Sequence, residues 1–121
     1  MPIQLGDTFL LGKGSHLWVV ISDPLKHAGE FVIVNLTTDQ FRAGKECELN
    51  LGDHRWIRMK CYVSFGDARK VGLKEAATIA ALMLSGTIIS DCPMDSSVLQ
   101  RIVAAAKKSK ALPIGLLAYL D

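Results

Sequence analysis

The chain has only three cysteines, Cys47, Cys61 and Cys92, an odd number with no Cys-x-x-Cys spacing. That excludes a disulfide framework and a zinc ribbon, and points to a reducing cytoplasm. Long hydrophobic runs are missing as well. The longest weakly charged stretch, Ala76 to Ile89, has 14 residues and includes two threonines, a serine and a glycine. A bilayer span needs about 20 apolar residues, so no membrane segment is expected. The N-terminal MPIQLGDTFLLGKGS lacks a basic segment followed by an apolar run and a small-residue cleavage site, so it does not read as a signal peptide. The G-x-x-x-x-G-K-[ST], H-E-x-x-H and G-x-S-x-G patterns are absent, as is a G-x-G-x-x-G after a strand. The GKGS at 12–15 lies between two apolar runs and reads as a hairpin turn. Charge of one sign is also scarce. A formal net charge of +2 and a pI near 8.5 do not by themselves mark a nucleic-acid binder.

What is present fits one compact domain spanning 1–121, with half of the residues hydrophobic and 21% charged. Up to about Val71, short β-branched runs alternate with turn signals: DTFLL, HLWVVIS, FVIVNLTT and ECELN, separated by GKGS, DPLKHAGE and DQFRAGK. This spacing predicts a β-meander forming a small sheet or barrel. HLWVVIS and FVIVNLTT are almost continuously apolar, as central strands covered on both faces should be. ECELN alternates cleanly, with Cys47 and Leu49 on one face and Glu46 and Glu48 on the other. From 72 to 121 the pattern is helical. LKEAATIAALMLSG predicts a short helix closed by Gly86, and TIISDCPMD a linker. Asp95 or Ser96 can cap a helix in which Leu99, Ile102, Val103 and Ala106 share a face, with lysines complementing the dipole at its end. In PIGLLAYL, Pro113 suits a first helical position, with Ile114, Leu117 and Leu120 turned to the body.

Positive charge concentrates in one place, where five basic residues stand against two acidic ones between Asp53 and Lys70. There RWIRMKCYVSF, at 55–65, interleaves Arg55, Arg58 and Lys60 with Trp56 and Tyr62. Two readings stand side by side. Cations on phosphates and rings on bases would hold single-stranded nucleic acid. Alternatively the segment is an edge strand guarded by its charges, with Trp56, Ile57, Met59, Tyr62 and Val63 packed inward and a bend between Trp56 and Ile57. His16 opens the second strand and Thr37 and Thr38 close the third, so an antiparallel meander brings His16 and Thr37 to one rim. The GDH at 52–54 starts the arginine-rich segment. His16, His27 and His54 have no recognised ligand spacing to one another or to Cys61, so no metal or other cofactor is expected. The cysteines read as core fillers.

The order LGDTFLL, HLWVVISDP, GEFVIVNLTT resembles the MazF/PemK toxins of bacterial toxin–antitoxin systems over residues 5–70. GDHRWI, CYV and ARK further resemble the GDHPFI, SYV and ARI of a set of uncharacterised bacterial proteins. The resemblance implies an SH3-like β-barrel with appended helices, a homodimer, an antitoxin partner, and metal-independent cleavage of single-stranded RNA to a 2′,3′-cyclic phosphate. It places the family's strand-three threonine on Thr37, or on Thr38 one register away. The family's strand-two arginine is replaced by His16. The implied catalytic set is His16, Thr37, His54 and Arg55, with histidines as acid and base and Arg55 stabilising charge. Trp56, Arg58, Lys60 and Arg69 are the implied RNA contacts. Loss of the arginine leaves a second expectation open, a catalytically silent barrel that binds a protein partner or nucleic acid.

Overall fold

The structure, a computed structural model, describes residues 3–11 and 16–120. The GKGS turn expected at 12–15 lies outside the described residues. Six strands form one sheet: β1 Thr8–Leu11, β2 His16–Val20, β3 Phe31–Thr37, β4 Glu48–Leu49, β5 Cys61–Val71 and β6 Ile89–Asp91. Their order across the sheet is β4-β5-β3-β2-β1-β6, every pair antiparallel. The sheet curls into a half-barrel with a few helices: α1 Gln40–Ala43, α2 Leu73–Leu84 and α3 Ser96–Lys108, plus 3-10 turns at Pro24–Lys26 and Ile114–Tyr119.

The Val/Ile run of β3 explains its central place, because every residue from Phe31 to Thr37 is buried. Alternate side chains of a strand face opposite sides. Val32, Val34 and Leu36 accordingly pack with Val98, Ile102 and Ala106 of α3 and with Leu112 and Leu120. Phe31 and Ile33 pack on the other side with Phe9, Val20 and Ile79 of α2. Sequence position Gly6 is where the first strand meets α3. Its φ of +91° suits glycine, and a Cβ there would lie 3.3 Å from Leu99 Cδ2. The close approach lets the Met94 amide donate to Gly6 O at 2.8 Å.

Helix boundaries follow the caps. Asp95 accepts the Ser97 amide at the start of α3, and Lys107 and Lys108 occupy its last turn. Gly86, with φ +81°, follows the Ser85 cap of α2. As expected, Cys47 and Leu49 point inward.

Several expectations need correction. RWIRMKCYVSF is not an edge strand: residues 55–60 are turn, and β5 starts at Cys61 and lies between β4 and β3. Met59 is 60% exposed rather than inward, whereas Ile57, Tyr62 and Val63 are buried. The bend expected near Trp56 belongs to that turn, and a true bulge falls later, where residues 65–68 of β5 face the single Val34. The TIISDCPMD linker contains β6, which pairs Thr8 with Asp91 and Leu10 with Ile89. A three-residue edge strand with one exposed isoleucine leaves no period-two signal. At the C-terminus, Pro113 is the cap rather than the first helical residue. Tighter 3-10 winding there turns Ile114 and Leu117 outward, while Leu116, Tyr119 and Leu120 meet the core. Among the described residues no helix is long and apolar enough to cross a membrane.

Because Ile102 is fully buried and Ile114 is 84% exposed, their truncations should differ. In urea denaturation Ile102→Ala is expected to cost about 2–5 kcal/mol, and Ile114→Ala no more than about 0.5 kcal/mol. A chain ending at Val71 lacks β6 and α3 and should show no cooperative melt. Equal costs for the two truncations, or a cooperative 1–71 fragment, would contradict this packing.

Candidate functional site

The loop joining β4 to β5 is built from short local bonds. Asp53 Oδ2 accepts the Asn50 amide at 2.8 Å, and the Asp53 amide donates to Asn50 O at 3.0 Å. Gly52, at φ +96°, completes the turn. Arg101 of α3 donates to Asp53 Oδ2 at 3.3 Å and to Glu48 O at 3.1 Å, which ties the loop to the helix.

His54 is buried, only 5% exposed. The Trp56 amide donates to His54 Nδ1 at 3.1 Å. A backbone amide can only donate, so Nδ1 presents its lone pair and the ring proton sits on Nε2. That Nε2–H reaches Cys92 O at 2.7 Å, with Cys92 Sγ at 3.3 Å. The neighbouring Arg55 donates from Nε to Asp91 Oδ1 at 2.5 Å, and the same oxygen accepts the Cys92 amide at 2.7 Å. Asp91 ends β6 at one edge of the sheet, whereas His54 and Arg55 lie just beyond β4 at the other. These side chains therefore fasten the two edges of the curled sheet together without a backbone ladder.

Beside this seam lies an open cleft of about 730 Å³, lined by Thr38, Arg55, Trp56, Arg58, Met59 and Asp91 with the buried Cys61. Trp56 is half-buried and packs partly against the core. Arg58 is exposed and makes no ion pair among the described residues. Burial pushes the Asp91 carboxyl up, but the Arg55 hydrogen bond, the Cys92 amide and the charge of Arg55 outweigh it. The group is held below its ordinary value. Burial pushes the Cys61 thiol up.

Of the residues expected from sequence, Arg55, Trp56 and Arg58 meet in this cleft. Thr38, the alternative register for the family threonine, lines it, whereas Thr37 is buried and accepts the Asp39 amide at 3.1 Å. Extending the Trp18↔Asn35 pairing by two residues brings His16 level with Thr37, and His16 Nδ1 lies 3.2 Å from Leu36 O. Neither lines the cleft. Lys60 pairs with Glu48 at 3.7 Å. Arg69 pairs with Glu75 at 2.8 Å and lies over the Trp18 ring. Asp91 is the functional candidate that sequence reading missed. Its SDCP context carries no motif, and only the pairing of β6 with β1 brings it here.

His54, Asp91 and Cys92 also form a trio whose ligating atoms lie within 4.8 Å of one another. Cys92 is partly exposed rather than a core filler, unlike Cys47 and Cys61. A metal-bound histidine presents one nitrogen lone pair to the ion and donates from the other nitrogen. His54 does the reverse, accepting at Nδ1 and facing the trio with a proton, while Arg55 and the Cys92 amide occupy Asp91 Oδ1, the carboxylate oxygen 4.0 Å from His54 Nε2. The donor set, as arranged, does not fit a cation.

The seam has a pH signature. A carboxyl held below its ordinary value of about 3.9 adds stability that is present above that value and is lost as pH falls through the lower, folded one. Thermal melts should therefore show an acid-side loss in the wild type that is smaller in Asp91→Asn. His54→Ala, which leaves Cys92 O and the Trp56 amide without their partner, is expected to cost about 1–3 kcal/mol at neutral pH. Identical acid limbs for wild type and Asp91→Asn, or an unchanged melt for His54→Ala, would show that the seam contributes nothing.

No protein-family model matches this sequence and no curated protein is similar to it, so a functional reading rests on the geometry of the seam and its cleft.

Proposed function

We propose that the protein binds single-stranded RNA in the cleft beside the seam, as a small SH3-like barrel related to the MazF/PemK toxins. One observation carries the reading: Arg55, Arg58 and a half-buried Trp56 line the same open cleft. Arginines offer forked donors to phosphate oxygens, and a tryptophan face stacks on any base. Arg58 has no carboxylate to satisfy it among the described residues, so a phosphate would not have to displace one. Thr38 and the exposed Met59 add a hydroxyl and a soft apolar contact.

Holding a strand suits this arrangement better than cutting it. Neither His16 nor His54 lines the cleft, and both ring nitrogens of His54 are engaged in the seam. Cleavage, if it occurs, would fall to Thr38 and the two arginines. A second reading, a protein partner such as an antitoxin or a second copy of the chain, is favoured by Leu25, Phe41, Leu84 and Ile114. Each of these is at least 80% exposed. The three free thiols agree with a cytoplasmic setting.

Anisotropy of a labelled mixed-sequence RNA oligonucleotide tests the reading. Affinity should fall steeply with salt, and Arg58→Ala should flatten the log–log slope by about 0.7, the share of one phosphate on a single strand. Trp56 fluorescence should quench on binding. Incubation with a chelator, followed by end-group identification of any product, reports cleavage in the same samples. Salt-insensitive binding, or none at low salt, would overturn the RNA reading and leave the protein partner.

A further inference from the structure

The cleft lining includes one acidic residue, Asp91, and its two carboxylate oxygens are not equivalent. Oδ1 accepts both the Arg55 Nε–H and the Cys92 amide. Oδ2 accepts from no described residue. It belongs to a side chain that is 13% exposed and lines the cleft. An ionised carboxylate has acceptors alone. The arginines around it have donors alone, and the Thr38 hydroxyl serves as either. Asp91 Oδ2 is thus a strong, oriented acceptor that the described residues leave without a donor.

We infer that Asp91 reads a base of the bound strand and favours guanine over uracil. This rests on the RNA reading above. Arginine contacts to phosphate carry no sequence information, and stacking on Trp56 tolerates every base. An acceptor-only oxygen separates the bases by what their Watson–Crick edges donate. Guanine offers N1–H and the 2-amino N–H side by side. Uracil offers a single N3–H between two carbonyl oxygens, which an anionic oxygen repels. Adenine and cytosine lie between, each with an amino group beside an acceptor nitrogen. The Arg55 and Cys92 bonds fix the carboxylate before any ligand arrives, which keeps its ordering cost on binding small. Asp91 is held below its ordinary carboxyl value, so it is ionised at neutral pH.

The test uses the full chain and labelled eight-nucleotide RNAs, one all uridine and one with a single central guanosine. The guanosine strand should bind about tenfold more tightly, the scale of one good base contact. A strand with inosine, which keeps N1–H and lacks the amino group, should fall between them. Asp91→Asn, whose amide can donate as well as accept, should bring guanosine and uridine strands within about twofold. The inosine series keeps the inference testable without a variant if Asp91→Asn does not fold. Equal wild-type affinities for guanosine and uridine strands would overturn it, as would inosine bound as tightly as guanosine or a folded Asp91→Asn that keeps the preference. Failure of every strand to bind would overturn the RNA reading and this inference with it.

Discussion

The fold depends on how a sheet with two free edges is closed. A full barrel would pair β4 with β6 through the backbone, and here the edge strands are only two and three residues long. Short edges carry few free backbone groups, which limits edge-to-edge association but also leaves little to zip. His54 and Arg55 take over that task through Cys92 and Asp91. A buried imidazole is costly unless both nitrogens are matched. Both are: one accepts the Trp56 amide and the other donates to a carbonyl across the seam.

That arrangement explains why the cleft lies where it does. The loop after β4 is drawn toward β6 by its first residues, so the following Trp56, Arg58 and Met59 cannot join the sheet and are held at its margin. Arg101 of α3 grips the same loop through Asp53 and Glu48 O. Side chains that would be mobile on a free loop are therefore carried on a segment fixed at two points, which suits a binding surface. The cleft and the closure share Arg55 and Asp91, so occupancy of one bears on the other.

Helix α3 makes the closure possible from beneath. Its Val98, Ile102 and Ala106 meet the inward side chains of β2 and β3, so the sheet curls around a helix rather than around itself. Helix α2 covers the opposite face through the buried Ile79, with Ala76, Leu82 and Met83 packed beside it, and Glu75 in its first turn holds Arg69. Amphipathic helices this short draw their stability from such packing rather than from intrinsic propensity.

Local patterns in the sequence determined the meander of β1, β2 and β3, the burial of β3 on both faces, the inward Cys47 and Leu49, and α2 and α3 with their caps. Each depends on neighbours within a few residues: β-branched runs, a period of two or 3.6, a capping aspartate, a glycine at positive φ. The concentration of Arg55, Trp56 and Arg58 was legible for the same reason, since all three lie in one loop. What lay outside its reach was decided over distance. β6 has no pattern of its own and exists because β1 offers it an edge. The 3-10 winding after Pro113 puts Leu116 in place of Leu117 against the core and keeps Leu120 there. His54 and Cys92 stand 38 residues apart, and no spacing rule joins them. Only when the sheet curls over α3 do its two edges come within hydrogen-bond reach, and only then does an aspartate from an unremarked linker become part of a cleft.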